Sequence, residues 1–446
     1  MREWSAKDRE LRKCGIFLLI LAMQPFFLGA MSESAFGESI EQAWDIALRE
    51  SRRQESKRHE TAAAQSGVAA AQGARLPRVT NATAYTALST QPMYEIELGI
   101  PGLPLPTINT PLLDKDFVFS TTQAIVPVYT GGKISSLIDQ ACARAQAAEL
   151  GERTDIQVLK MSVAENYLLV LRVQGIVEVL EQTMVAVQSH ERTAADMFSQ
   201  GLVTKNVLLQ AQVARAEVEQ KLIQARNALD IAKAAYNRYL WRPLEAEVSL
   251  NLVNIPPESG DLDRLTQIAL QSRTELQQLS AQAQGLYAKA RESRSERLPQ
   301  VVAAGGYTYI QNEALVENDY WSATVGMVWT PIDGGVSRSK ERAMEHQATA
   351  VNKMRDEVQS AITLEVRKNW LEEKESRNRV RVARQALDQS EENLRVVSEQ
   401  FAQGLVPHTE KLDAIALYSQ ARTNYCNASY DAILATYRLR RSMGAL

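Results

Sequence analysis

Few side chains in this sequence are spaced for chemistry. The four histidines, His59, His190, His346 and His408, show no metal-ligand spacing. No nucleophile–base pair, phosphate loop or zinc-protease motif occurs. The sequence therefore predicts no enzyme, no cofactor and no resident metal. Of three cysteines, Cys14 lies before an apolar run, and Cys142 and Cys426 fall in long helical stretches. Measured from the neighbouring glycine turns, the last two differ in height by roughly 50 Å at helical rise. That is too far for a disulfide, and both read as small packing residues. A formal net charge of -3 with no basic stripe points away from nucleic acid. What remains is a pair of acids. Glu410 and Asp413 stand three residues apart and share a helix face. Their oxygens suit hard cations, and acids at a helix start also interact favourably with its dipole.

The element leading to these acids is a very long helix. Val336 to Gln403 contains no glycine and no proline and is rich in Ala, Glu, Arg, Gln, Val and Leu. Unbroken, it would be about 100 Å long, and a helix of that length needs lateral support. Val380, Ala383, Leu387, Ser390, Leu394, Val397 and Phe401 step by three and four, a coiled-coil seam. Alone, the stretch reads as a generic coiled coil.

The stretch occurs twice. Gly131-Gly132 and Gly334-Gly335 each open a long segment, and the motifs FSQGLV (from Phe198) and FAQGLV (from Phe401) each close one, both at a spacing of 203 residues. The seam repeats in register as Val177, Leu180, Met184, Val187, Glu191, Ala194 and Phe198. Upstream, the RLPxV motifs at Arg75 and Arg297, and Ile46-Ala47-Leu48 with Ile268-Ala269-Leu270, match at 222. One insertion between Pro77 and Gly131 accounts for the difference. The chain is a tandem duplication, and internal repeats decide architecture.

Residues 1–30 read as a secretory signal: five basic residues, the apolar run Gly15 to Ala22, and Leu28-Gly29-Ala30 at the cleavage site. A membrane anchor is the other reading of this segment, but the run is short for a span. Residues 38–242 form a first repeat, 243–260 a linker and 261–444 a second repeat. Each repeat has a helix (39–74 and 262–296), two strands (78–88 and 117–126; 301–311 and 321–330), a long helix (133–200 and 336–403), a glycine turn and a return helix. Ser39 with Gln42 forms a capping box. Pro101, Pro104, Pro106 and Pro111 mark a loop between the first two strands. Two short helices of about 50 Å laid end to end match one long helix, as in a cylinder wall.

Trp321, Ala323, Val325, Met327 and Trp329 alternate with small or polar residues. Eight residues separate the tryptophans, about 26 Å of strand, which matches the lipid-facing band of an outer-membrane barrel. A half-buried strand on a soluble core would read the same way. Phe117 and Tyr307 are the other girdle candidates, with Tyr85 and Tyr309 at an interface belt. Four strands cannot close a barrel, and open edges are not tolerated in lipid. Two, three or four chains would have to pool eight, twelve or sixteen strands.

With the repeated LPxV strand starts, VYTGG and PIDGG before the long helices, and QGLV at both turns, the chain resembles the TolC-type outer-membrane efflux family. The fold class implied is mainly α with a small β part: long α-helical hairpins forming an α-barrel tunnel, plus four strands per chain in an oligomeric transmembrane β-barrel. The resemblance implies a homotrimer in the Gram-negative outer membrane, surrounded by its lipid and reaching into the periplasm. Its partners would be a periplasmic membrane-fusion adaptor and an inner-membrane pump or ABC exporter, and it would conduct substrates passively. Gly201, Leu202, Val203, Thr204, Gly404, Leu405, Val406 and Pro407 would form adaptor-docking tips. Glu410 and Asp413 would line an acidic ring at the entrance, with Lys205 as a balancing charge. Two positions depart from the family pattern: Val207 replaces a common acid, and Pro407 a common threonine. The competing reading is a secreted or periplasmic structural coiled-coil protein without a transport role.

Overall fold

The computed structural model describes residues 37–96 and 107–446, apart from 257, 259 and 314. The segment read as a signal, and Pro101, Pro104 and Pro106, lie outside these residues. The first repeat runs α1 (Ile40–Glu50), α2 (Arg52–Gly73), β1 (Arg78–Ala87), β2 (Met93–Ile96), β3 (Ile108–Pro111), β4 (Asp116–Tyr129), α3 (Lys133–Ser199) and α4 (Lys205–Tyr239). The second runs α5 (Leu262–Ser272), α6 (Thr274–Ser295), β5 (Gln300–Gln311), β6 (Asp319–Val328), α7 (Val336–Ala402) and α8 (His408–Ser442). The repeat is exact in length: α3 and α7 each have 67 residues, α4 and α8 each 35.

Two features were not anticipated. The short-helix segments are each broken once, at Ser51 and at Arg273, where ψ turns extended (116° and 117°). Ser51 caps α2 by accepting from the Gln54 N–H. Arg273 has no capping side chain, but its guanidinium binds Glu275, Glu365 and the Ser442 carbonyl. The proline-marked loop contains a small antiparallel hairpin, β2–β3, which ends at Pro111. The capping box at Ser39 and Gln42 forms as expected.

The main sheet is antiparallel, in the order β1-β4-β5-β6. The helices follow the same order. Beyond the strands, α2 packs on α3, α3 on α6 and α6 on α7; further along, α4 packs on α3, α3 on α8 and α8 on α7. Each strand thus continues into a helical column, giving four columns per chain. Among the described residues, columns one and four have no neighbour on their outer side, and β1 and β6 are both open edges.

The largest core lies midway along the helices, where Tyr167 and Tyr236 are fully buried with rings 5.9 Å apart. The Tyr167 hydroxyl sits between the Glu38 and Asn251 carbonyls. The Glu38 carboxylate is held by Arg242 through two bonds and accepts from Tyr236. This ties the end of the first repeat and the middle of the linker to the start of that repeat. Burial pushes the Tyr167 and Tyr236 phenols well above their ordinary value.

The two cysteines fare differently, and both are free thiols. Cys426 is half-buried, and its Sγ would lie 2.7 Å from a Cβ at Gly175, so this glycine lets α3 and α8 approach. Cys142 is exposed on α3 and does not pack as predicted, because its stretch of helix turns that side outward. Among the described residues, no helix is long and apolar enough to cross a membrane.

Candidate functional site

The sheet carries one candidate surface. Strand pairing puts Asn81, Thr122, Tyr307 and Trp321 on one rung. Alternation then gives a face with Trp321, Ala323, Val325 and Met327 on β6, Val301, Ala303, Gly305, Tyr307 and Tyr309 on β5, Ala124 and Val126 on β4, and Val79 and Tyr85 on β1. The β6 side chains stand well out: Trp321 is 80% exposed and Val325 77%. Tyr85, Tyr307, Tyr309 and Trp321 gather at the end far from the helices. The Tyr307 and Trp321 rings lie 5.1 Å apart. The polar group Asn81, Thr83, Ser120 and Thr122 lies at the same height and is mutually hydrogen-bonded. At the helix end, Trp329 lies one residue past β6 and donates from Nε1 to the Arg297 carbonyl. The face is therefore an apolar band between two aromatic margins.

Phe117 does not join it. Its partner is Thr86, and it stands on the opposite face with Phe119 and Ile125. Sequence alternation within one strand cannot fix phase between strands. The register across β4 and β5 does, and it places Phe117 with Thr308 and Ile310 rather than with Trp321.

The second candidate is the helical tip. Gly201 and Gly404 adopt left-handed φ values of 72° and 74°. In each turn the glycine N–H and the following leucine N–H close a Schellman motif, Gly201 to Phe198 and Leu202 to Met197, then Gly404 to Phe401 and Leu405 to Gln400. Leu202 and Leu405 are left 65% and 69% exposed. Val203 and Val406 are half-buried, and Thr204 and Pro407 occupy the N-cap positions of α4 and α8. The seam positions above are buried or half-buried, except Phe198.

Glu410 and Asp413 are both exposed on the first turns of α8. Lys411 turns the other way, with Nζ 4.8 Å from the centre of the Phe401 ring, as adjacency on a helix requires. Lys205, the balancing charge predicted from sequence, is exposed at the first position of α4.

The structure also gathers residues that the sequence kept apart. His190 of α3 is buried against Phe401 of α7 and lies parallel to His408 of α8. Nε2 of His408 meets Oε1 of Gln210 on α4 at 2.6 Å. No spacing rule could find this cluster, because its members come from four helices and two repeats.

The profile described as "Outer membrane efflux protein" matches residues 44–240 and 265–445, most of the chain and in two pieces. The chain belongs to the outer membrane efflux protein family. Solved structures of similar fold include the outer membrane protein VceC of Vibrio cholerae (15% identity, TM-score 0.75, 91% of this chain and 96% of that one). The CmeC outer membrane channel of Campylobacter jejuni is another (11%, 0.77, 91% and 85%), as is CusC (14%, 0.75, 93% and 95%). No curated protein sequence matches the chain. Like these channels, this efflux family member is mainly helical with a small β part. Family membership also answers the coiled-coil alternative, since it makes the strands part of an outer-membrane channel fold.

Proposed function

We propose that three copies of this chain close into a channel that spans the outer membrane as a twelve-stranded barrel and crosses the periplasm as a helical tunnel. The observation that carries this reading is the matching order of strands and helices, with both edges of the four-column wall open. An open strand edge is not viable in lipid, and small barrels begin at about 8 strands. Head-to-tail repetition of the wall pairs β6 of one copy with β1 of the next and brings the outer columns together at the same time. The apolar band with aromatic margins faces lipid, with Trp321, Tyr307, Tyr85 and Tyr309 at one interface and Trp329 at the other. Phe119, Thr121 and Thr308 then face the lumen.

Transport through such a duct is passive, and its energy comes from partners. Leu202, Val203, Leu405 and Val406 at the exposed tips suit docking to a periplasmic adaptor, with an inner-membrane pump or ABC exporter beyond. Glu410 and Asp413, repeated around the axis, place up to six carboxylates near the entrance, where low-dielectric walls focus a negative field.

Fractionation tests the location. The protein is expected to stay in outer membranes after a carbonate wash, and a strain lacking it should lose export of the partner pump's cargo. Release by carbonate would contradict the channel reading.

A further inference from the structure

About three turns above the tip glycine, His190 is 1% exposed, and neither ring nitrogen has a hydrogen-bond partner among the described residues. Its ring centre lies 5.4 Å from that of Phe401 and 6.4 Å from that of His408, with the two imidazoles only 8° from parallel. His408 is bridged to Gln210, and Lys411 rests on Phe401. All four helices that reach the tip therefore meet at His190 or at a residue touching this group.

A buried neutral imidazole with no partner is tolerated at some cost. A protonated one needs acceptors for two N–H groups, and none is in reach among the described residues. The charges facing it make matters worse. From α8 come Lys411 and His408, both of which oppose a positive His190. On α7, Arg395 pairs with Glu392 and Glu399 at the exposed surface of the helix. On α4, Arg215 pairs with Glu191 of α3. Burial first, then Lys411 and His408, hold the His190 imidazole down at about 4, and no carboxylate counteracts them.

We propose that His190 is a proton-operated latch on the tunnel tip: on taking up a proton it leaves its pocket for water, and its departure separates α3 from α7 and α8 and opens the entrance. The latch deepens the channel reading and rests on it. The sign follows from the direction of the shift. A histidine held below its ordinary value of about 6.5 stabilises the closed packing fully above that value. That contribution is lost as pH falls toward the folded-state value. Opening is thus an acid response, the reverse of what a histidine gaining a carboxylate partner would give.

Hydrogen exchange on the full-length protein in detergent tests this without requiring conduction. Between about pH 7.5 and about pH 4.5, after correction for intrinsic rates, peptides over residues 186–201 and 401–415 should lose protection by about tenfold or more. Peptides over residues 136–160 should stay protected. In His190→Leu, which keeps an apolar side chain in the pocket, the tip should stay protected throughout. In Lys411→Met, which removes a repelling cation, the wild-type transition should move to higher pH. Planar-bilayer conductance should rise in the same window for wild type and not for His190→Leu. Wild-type tips that stay protected, an equal loss in His190→Leu, or loss spread along the whole of α3 would each overturn the latch. Tips that open with acid but without conductance would support the latch and instead contradict the channel reading.

Discussion

At Trp241 the chain holds a tryptophan where its own repeat holds a glycine. Both close a return helix, and both are left-handed, at φ 57° and 73°. Gly444 has Ser272 3.4 Å from where a Cβ would sit, an ordinary contact distance, so its need for glycine comes from the left-handed φ. Trp241 is 56% exposed and has the room, but it bears the conformational strain. Trp241→Gly is therefore expected to raise stability, by about 1 kcal/mol, in denaturant unfolding of the solubilised protein. Gly404→Val should do the reverse, costing about 1–3 kcal/mol at φ 74°. Leu202→Glu with Leu405→Glu should abolish export while the amount of assembled protein in the membrane is unchanged. A loss of assembly would make these leucines structural instead. Glu410→Gln with Asp413→Asn should weaken cation preference, read as the reversal potential in a potassium chloride gradient. Unchanged selectivity would leave the two acids only the role of favouring the start of α8. Residue types at the turns were legible in the sequence because glycine with left-handed φ is a local requirement. His190 was not, because its partners lie on α7 and α8, more than 200 residues away.

At the scale of elements, the long helices and their seams were readable from spacing alone, since α3 and α7 follow the predicted bounds to within a residue. The breaks at Ser51 and Arg273 were not. Neither carries glycine or proline, and the break at Arg273 is held by an ion pair to Glu365 of α7 and a hydrogen bond to the Ser442 carbonyl at the end of α8. The face assignment of Phe117 failed for a related reason: alternation is local, whereas phase between strands depends on register. Close packing of α3 on α8 makes a further prediction. Gly175→Ala would put a Cβ 2.7 Å from Cys426 Sγ and should destabilise by about 1–3 kcal/mol through overpacking. Adding Cys426→Ala should recover most of that loss, since the smaller side chain removes the clash. A double-mutant cycle in denaturant unfolding would check the coupling.

For the whole molecule, the sequence led to a wall and could not count its copies. Four strands per chain allowed eight, twelve or sixteen. The structure narrows the question by giving strands and helical columns one shared order and two open edges, so any closure must satisfy both layers at once. Membership of the outer membrane efflux protein family supports three copies. The most direct measurement of that claim is the mass of the detergent-solubilised assembly from native outer membranes, corrected for bound detergent. The account predicts a single stable species of three chains. A stable monomer, or a closed assembly of four, would contradict it.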